Sequence, residues 1–198
     1  AIDGVGNGVH IHFSVLDEAG RPALYDERRP GRVSAAGGAF VGGVLHHLPA
    51  LVAFTAPSVI SSLRLQPHNW SSSYTWFGDQ DRESSLRICP LPRIGTSDPA
   101  KAFNIEYRPA DATACPHLAL AVIVLAGLEG IRMNRPAPPL FSGDPAALSA
   151  GQREELGLRP LPGSLSSALD ALLADDDVLS WFDPRAIETY VCMKRMEI

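Results

Sequence analysis

Two histidines are the first residues able to do chemistry. Residues 9–15 read Val-His-Ile-His-Phe-Ser-Val. The strict alternation predicts a strand with Val9, Ile11, Phe13 and Val15 on one face and His10, His12 and Ser14 on the other. Imidazoles two residues apart on a strand point the same way, which suits a metal ion or a phosphate. The pair also fits a half-exposed sheet face with no ligand, and spacing alone slightly favours that. Arg87 and Arg108 fall inside two more expected strands, residues 84–89 and 102–108, while Arg64 and Arg82 lie outside them. Guanidinium forks match carboxylates and phosphates bidentately. Ion pairs with Glu83, Glu106 or Asp111 are the commoner fate of a strand arginine. Glu106 stands two residues before Arg108 and shares its face. An inward carboxylate there could hold a divalent cation, although spacing alone favours a salt bridge.

Other reactive residue types carry less. His46 and His47 lie in an apolar helix and read as core or interface histidines. Cys89, Cys115 and Cys192 are odd in number and far apart, with no CxxC metal spacing or disulfide framework. They read as small buried hydrophobes in a reduced, cytoplasmic protein. Residues 175–177, three aspartates, read as a solvated helix start. Trp76 and Trp181 read as packing anchors. The Gly6-Asn7-Gly8 turn is a weak phosphate-loop signal, because a strand follows it and not a helix.

The elements that must position these residues are an α+β set, antiparallel strands packed with helices. Residues 34–54 are small and apolar and predict a tightly packed buried helix, which Pro49 kinks or divides. Residues 57–78 read as a loop region carrying Arg64, His68, Asn69 and Trp70. A Pro/Gly-rich turn spans 90–99. Helices are expected at 117–133 and 145–156, the latter inside a Pro-rich excursion over 135–162. A helical tail covers 164–173, 175–181 and 184–196, with Ser164 and Asp183 as N-caps and Pro184 at a first helical position. The chain has 198 residues, with 17 basic against 22 acidic residues and a net charge of −5, which argues against nucleic-acid binding. Apolar residues make up 45%, enough for a core. The longest apolar run, at 118–127, is too short to span a bilayer, so no membrane partner is expected. There is no signal segment, no internal repeat and no splitting linker. The chain lacks an initiator Met and opens inside a Gly-rich strand entry, so a piece of a longer protein is expected.

Five ordered blocks carry a resemblance. Gly8-Val9-His10-Ile11-His12-Phe13-Ser14 resembles the glycine-x-His-x-His-x-Ser strand of the glutamine synthetase family. Arg64-Leu65-x-Pro67 resembles its Arg-Leu-x-Pro loop, and Asp81 to Ile88 its Asn-Arg-Ser-Ala-x-x-Arg-Ile strand. Ile105-Glu106-Tyr107-Arg108 followed by Asp111 resembles its Ile-Glu-x-Arg-x-x-Asp strand. Ala126 to Ile131 resembles its Ala-Gly-Leu-Asp-Gly-Ile helix end. The tail Leu161 to Leu165, ending in Tyr190 and Lys194, also matches. The likeness covers essentially the whole chain. It implies that residues 1–198 are the C-terminal portion of a glutamine synthetase-like catalytic domain, the family's N-terminal β-grasp domain and first metal-binding strand preceding it.

The family phosphorylates the side-chain carboxylate of glutamate with ATP, and an amine then displaces phosphate. The resemblance implies Mg²⁺ or Mn²⁺ held by His10 and Glu106, and ATP contacted by His12, Ser14 and Arg87. Arg82 would stabilise the transferred phosphoryl group. Arg64 and Arg108 would grip glutamate, with Gly6 in the glutamate-binding turn. It further implies a ring-like homo-oligomer whose subunits complete each site. With only two of the expected protein metal ligands, the 198 residues alone are expected to be inactive.

Three departures matter. Trp70 replaces the flap glutamate that takes a proton from ammonium, and an indole cannot accept that proton. Val5 replaces an asparagine that contacts glutamate, and Asn104 an arginine near the phosphates. The amine side thus looks rebuilt. That favours an organic amine over ammonia, with Trp70 packing on the amine or covering the site. No counterpart of the tyrosine-bearing adenylylation loop of some bacterial members appears in residues 135–162. The alternative is a non-catalytic relative with an assembly or regulatory role.

Overall fold

The small-residue stretch organises the apolar half of the molecule. The computed structural model describes residues 6, 8–91 and 98–198. Ser34 caps helix α1 (Ala35–Thr55) by accepting from the Gly37 amide at 2.9 Å. The helix is apolar on all sides, so it lies inside the fold and not across its surface. It is long and apolar enough to cross a bilayer, with a mean hydropathy of 1.4, but 83% of that window is buried within the chain. It packs on α4 (Pro116–Arg132) and α6 (Leu165–Leu173). A Cβ on Gly43 would stand 2.1 Å from the Ala126 carbonyl oxygen, and one on Gly130 2.2 Å from that of Ala39. Only glycine lets these two backbones touch.

Pro49 does not divide α1. Proline removes the amide that would bond the carbonyl four residues earlier, that of Leu45. Arg159 supplies the missing donor: its Nη2 reaches Leu45 O at 3.0 Å and His46 O at 2.8 Å. The helix therefore runs through.

Among the described residues, four short strands form one sheet in the order β1-β4-β3-β2. They are β1 (Ile11–Phe13), β2 (Phe77–Asp79), β3 (Leu86–Ile88) and β4 (Ile105–Tyr107). β4 pairs antiparallel with β1 and β3, whereas β2 and β3 run parallel. The expected antiparallel arrangement thus holds for two pairs of three. Strands of three residues are only about 10 Å long, so residues 80–85 suffice to carry the chain back. Leu86, Ile88, Ile105 and Tyr107 face the core. Tyr107 and Thr55, at the end of α1, bond through their hydroxyls at 2.8 Å.

The C-terminal tail follows its caps. Ser164 and Ser167 form a capping box on α6. Asp175 caps α7 (Asp176–Ser180), and Asp183 caps α8 (Pro184–Arg195). Tyr190 stacks on Phe54 and donates to Ala53 O at 2.7 Å, fastening α8 to the end of α1.

Several expectations change. The stretch 57–78 contains a short helix α2 (Ser61–Arg64) and most of β2. The turn at 90–99 falls largely outside the described residues, and its end starts α3 (Pro99–Ala102). The expected helix at 145–156 is a 3-10 turn followed by α5 (Ala150–Glu155), because Ser149 and Gln152 restart the chain with a capping box. Cys89 is buried, but Cys115 and Cys192 are exposed. His47 is buried while His46 is exposed. Asp175 is half-buried and bonds His47 at 2.7 Å, so it is not a purely solvated charge. Trp76 is a buried anchor; Trp181 is half-buried against His47.

Candidate active-site cleft

The sheet alternates, so the residues between the core-facing ones share its other face. Strand register places His12 opposite Glu106, and Glu106 opposite Arg87. Glu106 is almost completely buried there. Its Oε1 lies 2.9 Å from His10 Nδ1 and 3.4 Å from His12 Nε2. Its Oε2 lies 2.5 Å from Arg87 Nε and 2.9 Å from Arg108 Nη1. Burial would raise its pKa. The hydrogen bonds from His10 and Arg108, with the positive charges of Arg108 and Arg87, outweigh that and hold it at about 2.

Arg108 is a buried junction. Besides Glu106, its Nε donates to Arg82 O at 2.9 Å and its Nη2 to Trp70 O at 3.1 Å. Arg64 is also buried, and its nitrogens reach Ser71 Oγ at 2.7 Å, Pro109 O at 2.5 Å and Ala110 O at 2.9 Å. Burial pushes its pKa down. Gly8 packs against this guanidinium: a Cβ there would meet Arg64 Nη1 at 2.8 Å. Trp70 is 67% exposed, on backbone with φ of +50°.

These groups line an open cleft of about 390 Å³. Gly6, His10, Arg64, Trp70, Arg82, Arg87, Glu106 and Arg108 all border it. Four guanidinium groups face a single carboxylate among the described lining residues, so the cleft favours anions such as phosphates and carboxylates. His12 adjoins the cleft through Glu106. Ser14 does not border it: two residues further along the chain, it borders a separate hollow with Leu16, Pro22 and Lys101. Position 5 lies outside the described residues.

The family profile of the glutamine synthetase catalytic domain matches residues 2–198. The chain belongs to the glutamine synthetase family. A gamma-glutamylpolyamine synthetase, GlnA3, of Streptomyces coelicolor is 41% identical over 172 residues, covering 87% of this chain and 36% of that protein. A glutamine synthetase of Frankia alni is 36% identical over 195 residues, covering 96% and 39%. The crystal structure of a novel glutamine synthase homolog superposes with a TM-score of 0.81 at 41% identity, covering 96% of this chain and 41% of that one. The chain thus spans roughly two fifths of the length of these glutamine synthetase relatives.

Sequence reasoning gave no site role to two residues that line this glutamine synthetase-type cleft, nor to one beside His12. Ser71 and Asn69 border it, and Ser71 anchors Arg64. Small polar residues beside Trp70 gave no periodic signal. Cys89, read as a hydrophobe, has its Sγ 3.4 Å from His12 Nδ1. Ligand atoms of His12, Cys89 and Glu106 lie within 4.8 Å of one another. This donor set fits a divalent cation, and His10 Nδ1 adjoins it at 2.9 Å from Glu106 Oε1. His47, Glu129 and Asp177 form a second such group. There Arg135 grips both Glu129 oxygens, at 2.9 and 3.0 Å, so the group ties α1, α4 and α7 together by charge.

Proposed function

We propose that the protein containing this chain is an ATP-dependent ligase that joins the side-chain carboxylate of glutamate to an organic amine. The γ-phosphoryl of ATP passes to that carboxylate, giving ADP and an acyl phosphate. The amine nitrogen then attacks the carbonyl carbon, phosphate leaves, and the nitrogen loses a proton. The observation that carries this reading is the buried Glu106, ionised between two imidazoles and two guanidinium groups.

His10 and Glu106 would hold Mg²⁺ or Mn²⁺, which supplies charge neutralisation at the phosphates. Arg82, exposed at the rim, neutralises charge on the transferred group. Arg64 and Arg87 add positive potential for the nucleotide and the glutamate carboxylates. Arg108 has its donors directed at Trp70, Arg82 and Glu106, so it contributes charge while fixing the cleft's walls. Trp70 offers no proton acceptor but a broad face, which can cover an alkylammonium chain. The polyamine named for the Streptomyces relative supports that amine class. Assembly into a homo-oligomer belongs to the same proposal.

ADP release is measured with Mg²⁺-ATP and glutamate across ammonium, alkylamines, polyamines and aromatic amines. Glutamate-dependent turnover greatest with an organic amine supports the proposal. Preference for ammonium over every organic amine overturns the amine assignment. Nucleotide binding without glutamate-dependent turnover points to another acid substrate. Loss of nucleotide binding too favours a non-catalytic assembly role.

A further inference from the structure

Residues 68–71 form a turn that is fastened at every residue. Its outer end is pinned twice: the His68 amide donates to Glu83 Oε2 at 3.2 Å, and His68 Nε2 stands 3.0 Å from Asp144 Oδ2. Asn69 Nδ2 donates to Leu63 O, in α2, at 3.3 Å. Two buried guanidinium groups clamp the inner end. Arg108 Nη2 donates to Trp70 O at 3.1 Å, and Arg64 Nη1 donates to Ser71 Oγ at 2.7 Å. Both arginines are themselves anchored on or just after β4, Arg108 on the Glu106 carboxylate and Arg64 on the carbonyls of Pro109 and Ala110. His68 and Trp70 have φ of +66° and +50°. Left-handed backbone is strained at residues other than glycine and persists where the surroundings over-determine it. Ser71 is 1% exposed and Ser72 is fully buried, whereas Trp70 is 67% exposed. Swinging this turn over a substrate would break the clamps and strand two buried guanidinium groups. The exposed indole therefore stands on a fixed base.

We propose that Trp70 is a preformed wall of the amine subsite and not a closing lid, and that Ser71 positions it by binding Arg64. The proposal rests on the ligase reading for the amine as the group that meets the indole. It decides between the two uses that the sequence left open for Trp70, packing on the amine or covering the site. A wall that is ordered beforehand spends no binding energy on its own ordering. Its place does not depend on ATP or glutamate. Amines are then sorted by their fit to one indole position, so a small shift of the turn changes amine recognition before it changes the chemistry at the phosphates.

The test uses the full-length protein and has two arms. In the first, acrylamide quenching follows the Trp70 emission, the part of the signal that Trp70→Phe removes. We expect Mg²⁺-ATP with glutamate to leave the quenching unchanged, and 2-phenylethylamine or spermidine to reduce it. Shielding of the indole by Mg²⁺-ATP and glutamate alone is the behaviour of a lid and overturns the proposal. So does an indole that neither amine shields. The second arm is steady-state kinetics with the same amines. Ser71→Ala should raise the KM for the amine by about 5- to 30-fold, up to the size of the Trp70 contact itself, and leave the KM for ATP and for glutamate in place. Ser71→Thr, which keeps the hydroxyl, should restore it. His68→Gly suits the positive φ and cuts an outer pin at an exposed residue, so it should raise the same KM with folding intact. If Ser71→Ala raises the KM for glutamate and not that for the amine, Ser71 serves the Arg64 hold on glutamate, and the proposal falls while the ligase reading stands. Absence of glutamate-dependent turnover with every amine sinks the ligase reading and the proposal with it.

Discussion

Glu106→Gln is the most informative perturbation of the cleft. The carboxylate sits at about 2 in place of its ordinary 4.5. At about 1.4 kcal/mol for each pH unit, its surroundings stabilise the ionised form by about 3 kcal/mol. Glutamine keeps the shape and removes the charge, leaving the buried Arg108 without its anion. Breaking a buried pair from one side costs about 3–5 kcal/mol, so the two routes agree in size. The sign of the pH dependence follows from the depressed value. The contribution is whole above pH 4.5 and is lost as pH falls toward 2. Between pH 4 and 3 the parent loses about 1.2 kcal/mol from this group that the variant does not. The assay is urea unfolding at pH 7, 5, 4 and 3. The gap between parent and variant should be about 3 kcal/mol at pH 7 and shrink by about 2 kcal/mol by pH 3, with the urea slope unchanged. Parallel curves from pH 7 to 3 would refute the charge network as its source.

Three further outcomes follow. Arg159→Met should destabilise by about 1–3 kcal/mol by stranding the Leu45 carbonyl. Adding Pro49→Ala should recover much of the loss, read as a double-mutant cycle in urea. Asp175→Asn keeps the cap on α7 but drops the charge beside His47, costing about 1–3 kcal/mol at pH 7. Burial raises the Asp175 pKa, yet the His47 hydrogen bond outweighs it and holds the carboxyl below its ordinary range, so this deficit should fade as pH falls below about 4. Trp70→Ala should change stability by no more than about 0.5 kcal/mol, because the indole is exposed. In the full-length protein it should raise the KM for the preferred organic amine by up to about 30-fold, the size of a desolvated cation–π contact, while leaving the KM for ATP in place.

The sequence was most legible where a local rule governs. Alternation alone put His10 and His12 on one face and Glu106 with Arg108 on another, and the register then joined the two faces. Ser164 and Asp183 cap the helices they precede. What escaped depends on distant partners. Pro49 leaves α1 whole because a donor arrives from Arg159, 110 positions further on. The parallel pairing of β2 with β3 has no signature in three-residue strands. Cys89 looks like any small apolar residue until His12 is folded against it. The internal use of Arg108 could not be read either, since two of its partners are backbone carbonyls.

The central place of β4 carries a kinetic consequence. Among the described residues β1 has no hydrogen-bonded neighbour in the sheet except β4, and His12 meets Asn104 across 92 positions. The long-range closure that this demands is slow and comes late. Until β4 threads between β1 and β3, His10 and His12 sit on a strand with no partner, and Arg87 has no carboxylate beside it. The cation capture proposed for this cleft would thus report completed folding: a chain that has collapsed and formed its helices, but not seated β4, would be compact yet blind to the ion.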